Sequence, residues 1–162
     1  MELFLIRHGI AMPGSAVLPD ADRPLTPQGR ERFAQAVMGL QRLGVRLDRL
    51  YHSPWLRAVE TAALLTPVLD GEAVSNAALA RPPSQALLED IVGERVALVG
   101  HQPWMGELLA WLIAAGQPDA SGFAFKRGGV AWLEGQPKPG RMALRAFLPP
   151  NVLRALGAAT SS

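Results

Sequence analysis

Two kinds of hydrophobic pattern alternate along this chain, and together they predict an alternation of strands and helices. Short apolar runs, the third weaker than the others, predict strands at residues 2–6, 47–51, 72–79 and 95–100. Apolar residues at helical spacing predict helices at residues 26–44, 53–69, 83–91 and 101–116. Near the C-terminus, residues 122–135 and 141–148 favour a hairpin or two edge strands.

Three of these helices carry recognisable signals at their ends. The first opens with Thr26 and a proline and stops at Gly44. In the second, Ser53 is predicted to be the N-cap and Pro54 to lie in the first turn. The helix at 101–116 also starts near a proline and ends at a glycine. These signals support the helical interpretation of the pattern.

Strands that alternate with helices predict a mostly parallel sheet with helices on both faces. We therefore expect an α/β fold, a three-layer α/β/α sandwich whose central sheet has an antiparallel edge. No repeat or linker interrupts the 162 residues, so a single domain over residues 1–162 is expected. The segment from about residue 150 has one weakly apolar patch before small residues, which predicts a poorly ordered tail.

Composition narrows the chemistry that the chain can perform. Its 49% hydrophobic and 19% charged residues are ordinary for a globular protein, and its formal net charge is +2. The arginines are scattered and Lys126 and Lys138 are the only lysines, so no basic block indicates a nucleic-acid partner. The absence of cysteine excludes disulfides, a thiolate nucleophile and thiolate metal sites.

The N-terminus and the lengths of the apolar runs bear on location. Met1 and Glu2 lead straight into a short apolar stretch, without the basic start and long apolar core of a signal peptide. No run approaches the roughly 20 apolar residues that span a membrane. From these features we expect a cytoplasmic protein without a membrane partner.

Three predicted strands end in polar residues that are expected to meet, since ligands gather at the carboxyl ends of parallel strands. The segments are "RHG" at 7–9, "HSP" at 52–54 with Arg57 one turn later, and "GHQP" at 100–103. Arginine forks match a phosphoryl group, and neutral histidine is a nucleophile toward phosphorus. Each segment alone also fits a structural role: a strand end exposed to solvent, a salt bridge on a helix, or a histidine that stabilises a loop. Their joint placement favours a phosphoryl site.

Neither metal nor nucleotide chemistry is indicated. The three histidines are far apart in the sequence, and no Asp/Glu pair accompanies them at ligand spacing. There is no Gly-rich phosphate loop with a lysine, and no GxSxG nucleophile motif. We therefore expect no metal and no cofactor, with side chains alone carrying the reaction.

The segments "LIRHG", "SPWLRAVETA" and the later "GH" resemble the motifs of the histidine phosphatase superfamily, also called the phosphoglycerate-mutase-like fold. The short length and "RPLTPQG" at 23–29 are most similar to small bacterial phosphohistidine phosphatases of the SixA type. The motifs cover residues 3 to about 106 in the expected order, whereas the last third matches only in architecture. The resemblance implies a bacterial, metal-independent phosphatase.

The resemblance also implies roles for the residues at the strand ends. His8 is the nucleophile that becomes phosphorylated, while Arg7 and Arg57 bind the equatorial phosphoryl oxygens. His101 donates a hydrogen bond or positive charge to the same group. Gly9 is expected to leave room for an oxyanion near the backbone. We further expect a backbone carbonyl to accept from one ring nitrogen of the nucleophile, so that the attacking nitrogen is neutral.

Three further residues are candidates for the rim of the site. Arg23 is one, although it equally fits a salt bridge in its own loop with Asp20 or Asp22. Trp104 follows the "GHQP" loop and can line the pocket, but it also fits the core. His52 is expected at the rim or in packing.

The segment in which phosphomonoesterases of this superfamily carry a general acid contains no early acid in this chain. It reads "VSNAALARPPSQALLED", with no acid before Glu89, and Glu60 is expected to pair with Arg57 instead. Imidazole has a pKa of about 6.5 and so leaves phosphorus with little general-acid help, which favours phosphohistidine as substrate. The expected partner is a phosphorylated protein, for example a phosphotransfer domain.

Two alternatives remain open at this stage. The first is a phosphomonoesterase for a small phosphorylated metabolite, with Glu89 or Asp90 as the acid. The second is a non-catalytic phosphate-binding module, which would keep the arginines and turn nothing over. Measurements of substrate turnover and of phosphate-analogue binding distinguish these two alternatives from the phosphohistidine phosphatase.

Overall fold

The structure is a computed structural model that describes residues 1–114 and 123–159. Its strands are β1 (Glu2–Arg7), β2 (Leu47–His52), β3 (Leu69–Ser75), β4 (Arg95–Gly100), β5 (Val130–Gly135) and β6 (Met142–Leu148). Its helices are α1 (Pro27–Arg42), α2 (Leu56–Leu64), α3 (Gln85–Asp90), α4 (Trp104–Ile113) and α5 (Pro150–Ala158). No helix in the described part of the chain is long and apolar enough to cross a membrane.

The six strands form one sheet in the order β3-β2-β4-β1-β5-β6. The first four in this order run parallel, and β5 and β6 each run antiparallel to the preceding strand. Side chains of a strand alternate between the two faces. On β1, Leu3 and Leu5 pack with α3 and α4, whereas Phe4 and Ile6 pack with α1, α2 and α5. The predicted three-layer α/β fold with an antiparallel edge is therefore confirmed.

The element boundaries differ from the prediction where local contacts override the pattern. The second helix begins at Leu56 rather than at residue 53, and its N-cap is Trp55 rather than Ser53. It ends before a short 3₁₀ turn, Thr66–Val68, that contains a proline. The third strand begins at residue 69 rather than 72, since Leu69 pairs with Leu47 of β2. Residues 115, 116 and 122 of the predicted elements lie outside the described residues.

The poorly ordered tail expected from about residue 150 is wrong for residues 150–158, which form α5. Leu153 of this helix is fully buried in the core on the α1 side of the sheet. Glycines permit the close approach, because a Cβ on Gly39 of α1 would collide with the Leu153 carbonyl and one on Gly157 with the Gln35 carbonyl. The apolar patch is too weak to predict this helix, whose stability comes from packing on α1.

Candidate active site

The carboxyl ends of β1, β2 and β4 meet at a pocket of about 290 Å³. It brings together Arg7, His8, Arg57 and His101, which come from three separate segments of the sequence. The remaining lining consists of Ala11, Asp20, Arg23, Trp55, Gln102, Trp104 and Arg127. The first strand delivers two of the four groups, the start of α2 delivers one, and the turn after β4 delivers the last.

His8 is held as a neutral imidazole with a defined tautomer. Its Nδ1 lies 2.7 Å from the carbonyl oxygen of Gly9. Because a carbonyl can only accept, Nδ1 carries the hydrogen and Nε2 carries the lone pair. That lone pair accepts from Nε of Arg57 at 3.2 Å. Burial, helped by the charges of His101 and Arg57, lowers the pKa of His8 to about 3, although the Gly9 bond acts in the opposite direction.

Gly9 does not provide the open backbone that we expected for an oxyanion. Its N–H donates to the hydroxyl of Thr61 at 3.0 Å, so it is not free to bind a phosphoryl oxygen. A Cβ on Gly9 would lie 3.3 Å from the side chain of Leu25, which shows that the space beside it is filled. The contribution of Gly9 is its carbonyl, which sets the tautomer of His8.

Arg57 is held in the pocket by hydrogen bonds to Asp20 and by contact with an aromatic ring. Its Nη1 donates to the backbone carbonyl of Asp20 at 2.6 Å and its Nη2 to the Asp20 carboxylate at 3.1 Å. The guanidinium carbon lies 4.6 Å from the ring centre of Trp55. Burial acts to raise the pKa of Asp20, but the hydrogen bond and charge of Arg57 outweigh it, and the pKa is lowered. Asp20 was proposed from sequence only as an ion-pair partner of Arg23.

The other acidic residues considered from sequence lie outside the pocket lining. Glu60 accepts from the backbone N–H of Leu25 at 2.6 Å and pairs with Arg30. The predicted pair between Glu60 and the arginine one turn earlier is therefore wrong, because the residues before α1 fold over this carboxylate. Glu89 bonds within its own helix, and Asp90 accepts from Asn76 at 3.2 Å.

His101 is positioned by Ser53, a residue that we expected to be a helix cap. The Oγ of Ser53 lies 2.8 Å from Nε2 of His101 and accepts from the N–H of Trp55 at 3.2 Å. Among the described residues, Nε2 is the acceptor that this fully buried hydroxyl can reach, so the hydroxyl donates to Nε2 and the hydrogen of His101 is on Nδ1. Nδ1 is buried and has no hydrogen-bond partner within residues 1–114 and 123–159. Burial and the charge of Arg57 lower the pKa of His101 to about 4.

Arg7 adds a second guanidinium, and a third lies beside it. Nη1 of Arg7 donates to the carbonyl of Phe125 at 2.6 Å. Burial, followed by the charges of Arg127 and Arg57, lowers the pKa of Arg7, as expected for crowded cations. Arg127 was missed from sequence because "FKRGG" lies far from the other motifs. It reaches the pocket because the N–H of Gly128 bonds to the carbonyls of Arg7 and His8.

The comparisons with known proteins agree with this geometry. A family model described as "Histidine phosphatase superfamily (branch 1)" matches residues 3–80. An uncharacterized protein of Picosynechococcus sp. is 38% identical over 125 residues, which cover 72% of this chain and 75% of that protein. The chain belongs to the histidine phosphatase superfamily. The resemblance noted from its motifs is thus confirmed.

Solved structures extend the likeness of this superfamily member beyond the matched motifs. The protein histidine phosphatase SixA complexed with tungstate has a TM-score of 0.77 and 26% identity, covering 94% of this chain and 99% of that chain. A phosphoserine phosphatase from Entamoeba histolytica, in complex with 3-phosphoglyceric acid, has a TM-score of 0.72 and 17% identity, covering 94% and 98%. At that identity the second likeness concerns the fold alone. Family and neighbours make the protein a phosphatase, that is, a hydrolase.

Of the three residues expected at the rim of the site, two line the pocket and one does not. Arg23 lines the pocket and also pairs with Asp20, with 2.7 Å between Nε and Oδ1, so both interpretations apply. Trp104 lines the pocket and packs edge-on against His101, with ring centres 6.1 Å apart. His52 is outside the lining, and its Nδ1 bonds the carbonyl of Ser53 at 2.9 Å, which leaves the packing role.

Proposed function

We propose that this phosphatase removes the phosphoryl group from a histidine of a protein substrate, without a metal ion, through a covalent phosphohistidine on His8. The observation that carries the proposal is the combination of groups in one pocket. A neutral imidazole, whose Nε2 lone pair accepts from Arg57, faces buried donors. The described lining contains one carboxylate, Asp20, in its ionised form. The likeness to the SixA protein histidine phosphatase supports the same substrate class.

In the first step the lone pair on Nε2 of His8 attacks phosphorus in line. The substrate ring first takes up a proton from solvent on the nitrogen that is not bonded to phosphorus. The bond between phosphorus and the ring then breaks, and neutral imidazole departs. In the structure, Nε of Arg57 donates to Nε2 of His8. When Arg57 donates to a phosphoryl oxygen instead, the lone pair on Nε2 becomes free to attack. Arg7 and Nδ1–H of His101 donate to the remaining equatorial oxygens. Such preorganised donors stabilise the charge that spreads over those oxygens in the transition state.

In the second step water hydrolyses the phosphohistidine on His8. The water oxygen bonds to phosphorus, the bond from phosphorus to Nε2 breaks, and the hydrogens of the water leave with inorganic phosphate. Nε2 regains its lone pair, while Nδ1 keeps its hydrogen through the bond to Gly9. Splitting the displacement into two transfers lowers each barrier.

The carboxylate in the pocket is suited to positioning rather than to proton donation. Arg57 and Arg23 both hold Asp20, and its lowered pKa keeps it ionised near neutral pH. An alkoxide leaving group requires an acid in this place, whereas imidazole, with a pKa of about 6.5, does not. This difference is the reason to favour phosphohistidine over a phosphate ester.

The test is to trap the intermediate with a protein that carries ³²P-labelled phosphohistidine. We expect label on the wild-type enzyme after a rapid alkaline quench, lost again on acid treatment, and no label on His8→Ala. Turnover by His8→Ala should fall at least about a thousandfold, since a nucleophile is removed. Wild-type activity should persist in EDTA. Full turnover by His8→Ala, or loss of activity in EDTA that a metal restores, would contradict the mechanism.

A substrate panel separates this proposal from the alternatives. Phosphohistidine peptide should be hydrolysed with a higher kcat/KM than phosphoserine, sugar phosphates or nucleotides. A small ester preferred by orders of magnitude would favour the phosphomonoesterase, in keeping with the neighbour that is a phosphoserine phosphatase. Tight tungstate binding without hydrolysis of any panel member would favour the binding module.

A further inference from the structure

A second, wider groove adjoins the active-site pocket. Its volume is about 460 Å³, and it lies between α1, α5 and the loop before β5. Five cationic residues line it, together with Ile10, Pro150 and Asn151; they are Arg7, Arg32, Lys126, Arg127 and Arg154. No acidic residue is part of the described lining. We call this surface the basic groove.

The basic groove is continuous with the pocket that holds the nucleophile. Arg7 and Arg127 line both the groove and the pocket. A molecule whose phosphoryl group reaches His8 therefore has its neighbouring atoms beside these shared arginines. The basic groove can therefore contact the part of the substrate that surrounds the phosphoryl group, while the pocket holds the phosphoryl group itself.

The charges of the groove are not neutralised by the rest of the described chain. Arg32, Lys126 and Arg127 are exposed and Arg154 is half-buried, and none of the four forms an ion pair with a carboxylate of the described residues. The first turn of α5, which carries the positive end of that helix dipole, also lines the groove. Cations and dipole act in the same direction, so the groove attracts anions.

We propose that the basic groove docks carboxylates on the surface of the protein that carries the phosphohistidine. This rests on the proposed function and specifies its partner as a protein with an acidic surface around the modified histidine. A single exposed ion pair contributes little at physiological salt, so affinity here needs several carboxylates at once. Cations spread over two helices and a loop suit such a surface better than one small anion, and their field also speeds association.

The experiment compares two synthetic peptides that differ only in charge around a central phosphohistidine. One has glutamates on both sides, and the other has glutamines. At low salt the glutamate peptide should be hydrolysed with a kcat/KM at least about tenfold higher, and this preference should shrink as salt is added. The unphosphorylated glutamate peptide should also bind more tightly than its glutamine counterpart, which is measured by titration without any turnover.

Arg32→Glu/Arg154→Glu tests the groove, and Lys138→Glu/Arg141→Glu is its matched control. The control makes the same change of charge in the exposed β5–β6 turn, at the opposite end of the sheet. The groove variant should lose the preference for glutamate in both hydrolysis and binding, and the control should retain it. Equal binding of the two peptides by the wild type, or equal losses in the two variants, would overturn the docking proposal. Preferential binding without hydrolysis of either peptide would instead count against the proposed function alone.

Discussion

A buried hydroxyl group decides which nitrogen of His101 carries its hydrogen. Ser53 sits at the end of β2, while His101 follows β4, the next strand in the sheet. The Ser53 hydroxyl accepts from a backbone N–H and donates to Nε2, so that the hydrogen of His101 is on Nδ1. Since the pKa of His101 is lowered to about 4, this side chain is neutral near pH 7. In the proposed mechanism it therefore acts as a neutral donor rather than as a cation.

Ser53→Ala should therefore alter the tautomer of His101. Without the hydroxyl donor, the Nε2–H form is no longer disfavoured, and ¹⁵N NMR of the imidazole should show it. We expect kcat/KM to fall about tenfold, in line with the loss of one buried hydrogen bond. Thr66→Ala, which removes an exposed hydroxyl bonded to the Ala63 carbonyl, is the control and should change neither readout. A His101 that keeps its hydrogen on Nδ1 in Ser53→Ala would refute this role.

At the scale of the elements, α5 both packs in the helical layer on one face of the sheet and lines the groove beside the active site. It packs along α1 through the close approach at Gly39 and contributes Arg154 to the basic groove. The start of the helix follows directly on β6, so its position is tied to the antiparallel edge of the sheet. Loss of its packing should affect both the stability of the fold and the shape of the groove.

Leu153→Ala tests the docking of α5. The side chain is fully buried, and truncating a buried leucine costs about 2–5 kcal/mol of unfolding free energy. Val152→Ala, at a neighbouring position that is 39% exposed, is the matched control and should change stability by less than about 1 kcal/mol. Urea unfolding measures both. Equal effects of the two substitutions would show that α5 does not pack in this way.

At the scale of the whole molecule, the active site makes the fold sensitive to acid. His8 and His101 are buried among arginines, and their pKa values are lowered to about 3 and about 4. Unfolding restores a pKa near 6.5, so below that pH the unfolded chain binds protons that the folded chain excludes. The folded state therefore loses stability as the pH falls from about 6.5 toward 4, and these two groups contribute no further change above about pH 7.

The predicted slope is up to about 1.4 kcal/mol per pH unit from each histidine. Urea unfolding at pH 7, 6 and 5 measures it. A protein with His8→Gln and His101→Gln, in which neither side chain titrates, should show a shallower dependence than the wild type over the same range. An unchanged slope in that variant, or a wild-type stability that is constant from pH 7 to pH 5, would contradict the assignment.

The accuracy of the sequence prediction differed between the sheet and the residues that line the pocket. Apolar periodicity placed β1, β2, β4 and β6 within one residue at each end. It placed β3 three to four residues late, and β5 begins at Val130 rather than at residue 122. The "RHG" motif predicted that His8 lies in the pocket, because the end of a buried central strand is where a parallel sheet collects ligands. Its role as nucleophile, which the family resemblance implies, stays a proposal. Asp20 was predicted only as a partner of Arg23, and Arg127 was missed, since each reaches the pocket through loop contacts that no local pattern encodes.

By itself, the sequence determined the α/β alternation, the two-sided sheet and the residues whose chemistry suits a phosphoryl group. These follow from short-range periodicity and from the types of residue at strand ends. Only the tertiary structure decided that Ser53 orients His101, that Glu60 pairs with Arg30, and that the residues after 150 form a docked helix. Those outcomes depend on which partners lie opposite once the layers pack, because a weakly apolar segment or a lone hydroxyl gains its role from neighbours distant in the chain.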